Sequence, residues 1–149
     1  MPSPAPPATT STAVVEEFLT ALAHSDLDAA TALVTEDIVW QNVSLPTLRG
    51  ARAVAALRGL ARPSVNFDVI VHNITSTGNV VQTERTDLIA VGPLSVEFWV
   101  CGTFEVRDGR IAVWRDYFSY RDSLRGLIVG LYRLARGRRG GRSTGYLGA

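Results

Sequence analysis

The sequence predicts an α+β fold in which helices come first and a run of antiparallel strands follows. Three observations predict it. Apolar residues recur at helical spacing as far as about Leu60. From Val65 the pattern changes to β-rich segments with period-two alternation. Those segments are divided by Thr77-Gly78-Asn79, Gly92-Pro93 and Asp108-Gly109, residue types that reverse a chain.

The elements follow in order. Residues 1–12, rich in Pro, Ser and Thr, are expected to form a disordered lead. Ser11 or Thr12 is expected to cap a first helix with Val14, Val15, Phe18, Leu19 and Leu22 on its apolar side. Ser25 is expected to cap a second, short helix with Asp26 and Asp28 in the first turn, where acidic groups complement the helix dipole. Ala29, Ala30, Leu33 and Val34 supply its apolar side. Residues 38–41 read as a short strand and residues 43–49 as a loop entered through Leu45-Pro46. Gly50 opens a third helix through about Leu60, with Val54, Leu57 and Leu60 inward and Arg49, Arg52 and Arg58 on the wet side. Residues 65–74, 80–91, 94–106 and 111–119 read as successive strands, the last two joined by an Asp108-Gly109 hairpin turn. Residues 121–136 carry Leu124, Leu127, Ile128, Leu131 and Leu134 at helical spacing, a stripe that folds over a pocket mouth or packs on a second subunit. The Gly- and Arg-rich residues 137–149 are expected to be a disordered tail, which leaves residues 13–136 as a single domain.

Composition removes several function classes. A chain of 149 residues with 46% hydrophobic residues builds one core without disulfides. A net charge of +1 predicts no strong general attraction to nucleic acid or to a membrane. No lysine is present, so Schiff-base chemistry through a lysine is excluded. Cys101 is the single cysteine, so no intrachain disulfide forms; in Val-Cys-Gly-Thr-Phe it reads as a small hydrophobe in a core strand. His24 and His72 stand in unrelated contexts and make no zinc motif. The first twelve residues carry neither a basic nor an apolar leader region, and no apolar run approaches the ~20 residues of a membrane span. The expectation is a soluble, cytoplasmic protein.

The informative segment is VVQTERTDLIAV. Alternation puts Val81, Thr83, Arg85, Asp87 and Ile89 on one strand face. On the last strand Ala112, Trp114, Asp116 and Phe118 share a face that is apolar except for Asp116. A carboxylate buried there needs a partner, because burying it unpaired costs several kcal/mol or neutralises it. Arg85 has the right chemistry, since its planar fork can hold two carboxylates at once. Two carboxyls on one guanidinium couple their protons, so one can serve as general acid while the other serves as general base. The same pattern also fits a buried ion-pair network without catalysis.

Four motifs then carry a resemblance. Trp40-Gln41-Asn42 before the Leu-Pro loop, Glu84-Arg85-Thr86-Asp87, Cys101-Gly102-Thr103-Phe104-Glu105-Val106 and Trp114-Arg115-Asp116-Tyr117-Phe118 occur in the right order over roughly residues 13–120. Together they resemble the limonene-1,2-epoxide hydrolase family. The resemblance implies a curved mixed sheet forming a cone with N-terminal helices packed against it, as in the nuclear-transport-factor-2-like superfamily. It implies that Asp116, helped by Asn42, is the base that activates water, that Asp87 is the acid that protonates the epoxide oxygen, and that Arg85 bridges them. It implies no cofactor, no metal and a homodimer. Where the family has a water-holding Tyr, this sequence has Trp40, whose indole donates a hydrogen bond but accepts none.

Trp40, Leu45, Val81, Ile89, Phe98, Trp99, Trp114, Phe118 and the Leu-rich 45–48 loop are candidates to line an apolar pocket for a hydrophobic epoxide of terpenoid, fatty-acyl or steroid-like type. Three rival readings stand beside this one. The first is a ketosteroid isomerase-like or polyketide cyclase-like enzyme of the same fold, for which a bridging Arg is not what enolate chemistry needs. The second is a non-catalytic small-molecule binder. The third is RNA binding through Arg133, Arg136, Arg138, Arg139 and Arg142, which the net charge and the lack of a binding motif disfavour.

Overall fold

A computed structural model of the chain describes residues 10–119 together with Leu127, Leu131, Tyr132 and Arg136. Helix α1 (Ser11–Ala23) is capped by Thr10, whose hydroxyl accepts from the Ala13 N–H at 3.2 Å. The cap therefore precedes the expected Ser11 or Thr12, and residues 10–12 belong to the helix start and not to the lead. Helix α2 (Leu27–Ala32) is capped by Asp26, which accepts from the Ala29 N–H at 3.0 Å. Ser25, the expected cap, instead turns the chain with φ 55°. Val34 leaves the helix to open strand β1 (Val34–Asn42), which is longer than the expected 38–41. Within the expected 43–49 loop, Leu48–Arg49 forms a two-residue strand β2 against β1. Helix α3 (Ala51–Leu60) begins after Gly50, and Arg49, Arg52 and Arg58 are exposed as expected.

The remaining strands are β3 (Val65–Thr77), β4 (Val80–Val91), β5 (Leu94–Arg107) and β6 (Arg110–Phe118). Their turns fall at the three expected signals. Asp108 and Gly109 both take positive φ, 51° and 75°, which matches the twist of the flanking strands. The sheet order is β2-β1-β6-β5-β4-β3, antiparallel except for the parallel β1–β6 pair, so the sheet is mixed and curved.

Helix α1 fills part of the concave face. Val14, Val15, Phe18, Leu19 and Leu22 are buried there with Val81, Phe104, Ile111 and Trp114. Fully burying each large apolar side chain contributes about 1.5–3 kcal/mol. Two expectations fail at this level. Cys101 is exposed, because inward-facing Gly102 and Phe104 fix the parity of β5 and turn Cys101 to the outer face. A β-bulge opposite Glu105 and Val106 places Ile111 in the core, while Ala112 is only half-buried. Of the expected 121–136 helix, Leu127, Leu131, Tyr132 and Arg136 are helical. Leu124, Ile128, Leu134 and Arg133 lie outside the described residues, as do residues 1–9 and 137–149. No helix among the described residues is long and apolar enough to cross a membrane.

Candidate active site

Alternation on β4 turns Val81, Thr83, Arg85 and Asp87 into the interior, and Trp114 and Asp116 do the same on β6. Register then assembles rows across strands. Thr83, Gly102, Asp116 and Asn42 form one continuous row over β4, β5, β6 and β1. Val81, Phe104, Trp114 and Trp40 form the next.

Arg85 joins the two carboxyls. Its Nε donates to Asp87 Oδ1 at 2.8 Å and its Nη2 to Asp87 Oδ2 at 3.1 Å. The same Nη2 donates to Asp116 Oδ2 at 2.7 Å. Nη1 donates to the Thr83 hydroxyl at 3.1 Å. Exposure is 0% for Arg85, 4% for Asp87 and 5% for Asp116, so water screens none of these charges well.

One cation among two buried carboxyls leaves an uncompensated charge unless a proton is retained. Burial raises the pKa of both Asp87 and Asp116 above the ordinary aspartate value, against the downward pull of Arg85. Burial also works against the Arg85 charge, but the two carboxylates outweigh it and raise its pKa. The carboxyls differ in their remaining neighbours. Trp114 Nε1 donates to Asp116 Oδ1 at 2.8 Å and favours its ionised form. Asp87 instead takes both of its bonds from Arg85, and the charge on Asp116 raises it further. The coupled pair therefore shares one retained proton.

Trp114 is held by rings. Trp40 stacks on it at 4.4 Å and 5°, Phe104 at 5.9 Å and 15°, and Phe18 meets it edge-on at 5.2 Å. Trp40 Nε1 is buried and meets no partner among the described residues, so Trp40 contributes its ring face to this arrangement.

The carboxyls open onto a cavity of about 440 Å³. Its wall brings together Trp40, Asn42, Leu45, Ile89, Phe98, Trp114 and Phe118, all singled out from the sequence as site or pocket residues, with Leu60, Phe67, Val91, Leu94 and Val96, which were not expected there. Among the described residues the polar side chains on this wall are Asn42, Asp87 and Asp116. Two expected lining residues are absent from it. Trp99 points out of the opposite sheet face, 47% exposed and stacked on His72 at 5.1 Å. Val81 is sealed in the core below the cavity. Among the described residues no group of three or more His, Cys, Asp or Glu side chains is placed to hold a metal. Sequence reasoning also assigned no role to the Thr83 hydroxyl or to the Trp114 N–H; their signal was their period-two spacing from Arg85 and Asp116.

Comparisons with known proteins agree on one relationship. The family model "Limonene-1,2-epoxide hydrolase catalytic domain" matches residues 9–129. Epoxide hydrolase EphG of Mycobacterium tuberculosis is 48% identical over 120 residues, which cover 80% of each chain. A solved structure of an LEH-like epoxide hydrolase from M. tuberculosis superposes with a TM-score of 0.81 at 44% identity, covering 89% of this chain and 99% of the other. An NTF2-like protein of unknown function from Cytophaga hutchinsonii shares the fold at 20% identity, with a TM-score of 0.62 and coverage of 81% and 96%.

Proposed function

This chain belongs to the limonene-1,2-epoxide hydrolase family and is an epoxide hydrolase, and from that premise we propose that it converts a hydrophobic epoxide to a vicinal diol in one general acid–base step. The observation that carries the proposal is the single guanidinium touching two buried carboxyls on the wall of an apolar cavity.

Asp116, as carboxylate, takes a proton from water, with the Asn42 amide beside it in the same row to orient that water. The water oxygen forms a bond to a ring carbon while the strained C–O bond breaks. Asp87 gives its proton to the departing oxygen, so no free alkoxide forms. Before and after the step the pair holds one proton. Arg85 Nη2 contacts both carboxyls, so it remains paired as charge moves from Asp116 to Asp87. Proton exchange with solvent resets the pair. A serine- or aspartate-linked ester is not needed.

The apolar wall supports a terpenoid, fatty-acyl or steroid-like epoxide over a charged one, since a charged substrate would be stripped of water against that wall. We also propose a homodimer, supported by the outer sheet face, where Ile70, Trp99 and Tyr117 are exposed.

Turnover of a panel of hydrophobic epoxides by the wild type, Asp87→Asn and Asp116→Asn tests the roles. Each variant is expected to lose at least ~100-fold in kcat, the scale of one acid or base. Full activity in either variant removes that residue from the mechanism.

A further inference from the structure

We infer that Gly102 and Thr83 are positioning residues of this site, and that the missing side chain at Gly102 is what lets Arg85 reach across β5 to Asp116. The inference rests on the reading of Asp116 as base.

Arg85 starts on β4 and its far partner is on β6, so its guanidinium must pass over the intervening strand. Gly102 is the residue of β5 that stands between Thr83 and Asp116 in their shared row. A Cβ there would collide with Arg85 Nη1 and lie 2.8 Å from Thr83 Oγ1 and 2.9 Å from Asp116 Oδ1. All three atoms belong to the hydrogen-bonded set and are buried, so none is a loose side-chain end that can swing aside.

The backbone does not itself ask for glycine at this place. Gly102 is not among the positive-φ residues, and a glycine inside a strand weakens it. Its place is explained by the close approach of Arg85. Thr83 completes the seat: its hydroxyl accepts from Nη1 at 3.1 Å and donates to the Gly102 carbonyl at 3.4 Å. That bond fixes the roll of the guanidinium plane, and so aims Nη2 at Asp116.

An added methyl at Gly102 pushes the guanidinium off β5. The Asp87 pair, which lies on the same strand, can move with Arg85, whereas the contact with Asp116 is lost. Asp116 then keeps Trp114 as donor but loses the cation that lowers its pKa.

The test uses the full chain and the best epoxide of the panel. Gly102→Ala is expected to lower kcat at least tenfold with little change in KM. Its acid limb in the kcat–pH profile is expected to move up by ~1 pH unit or more, the effect of removing an adjacent cation. Thr83→Val is expected to move the same limb in the same direction, and Thr83→Ser to restore it. If Gly102→Ala does not fold, it is combined with Arg85→Lys, which has no Nη1: recovery of folding in the double variant supports the collision with Arg85, and equal failure in both backgrounds overturns it. An unmoved acid limb in folded Gly102→Ala also overturns the inference. Inactive Asp116→Asn beside unaffected Gly102→Ala refutes this inference alone, whereas active Asp116→Asn refutes the reading beneath it.

Discussion

At Asp87 and Asp116 burial and charge pull in opposite directions, and burial wins at both. The consequence for stability has a definite sign. A carboxyl whose pKa is higher folded than unfolded binds its proton more tightly in the native state, so stability is greatest below the unfolded value, near 3.8, and falls as pH rises through the folded value. Asp87→Asn removes that loss. It is expected to abolish turnover yet leave the protein at least as stable as wild type at pH 7, with a flatter pH dependence in thermal melts. A large drop in Tm at pH 7 would contradict the proton placement. Trp114→Phe keeps a ring in the stack but removes the donor to Asp116. It is expected to shift the acid limb of the kcat profile upward, and an unchanged limb would show that the indole N–H does not tune the base. The Arg85, Asp87 and Asp116 set was legible because strand alternation is strict and a carboxylate on an apolar face must find a cation. Trp99 shows the limit of applying that rule loosely: adjacent Phe98 and Trp99 cannot both face the cavity, and it is Phe98 that does.

The elements deliver those residues through turns and registers of differing legibility. The β3–β4, β4–β5 and β5–β6 hairpins were readable because their turn residues stand between strongly alternating segments. The helix starts were readable only to within a residue or two. A Ser or Thr next to the true cap has the same chemistry, and only the backbone angles distinguish Thr10 from Ser11 or Asp26 from Ser25. Asp26→Ala is expected to lower stability by about 1 kcal/mol, the usual worth of such a cap, with kcat unchanged. A loss of kcat would mean that α2 shapes the site directly. The first half of β1 was hidden for a different reason. Thr35-Glu36-Asp37 has no apolar alternation, and it lies in the irregularity between the Val34 and Val39 pairings with β6.

That parallel pair is the feature of the whole molecule that completes the site. It sets Asn42 beside Asp116 across more than seventy residues of sequence, a neighbourhood that no local pattern contains and that only the family resemblance suggested. The curved sheet then has two faces with different duties. Its concave side holds α1 and the cavity, and its convex side leaves Ile70, Trp99 and Tyr117 in water. Sedimentation is expected to find a dimer that Trp99→Ala weakens without lowering kcat/KM, whereas a monomeric wild type would contradict the proposed assembly. In the proposed reaction water reaches the epoxide carbon directly, with Asp116 as base and no covalent ester. A single turnover with enzyme in excess over an epoxide, run in heavy-oxygen water, tests it most directly. One heavy oxygen is expected in the diol and none in the protein. Heavy oxygen recovered in the carboxyl of Asp116 or Asp87 would contradict it.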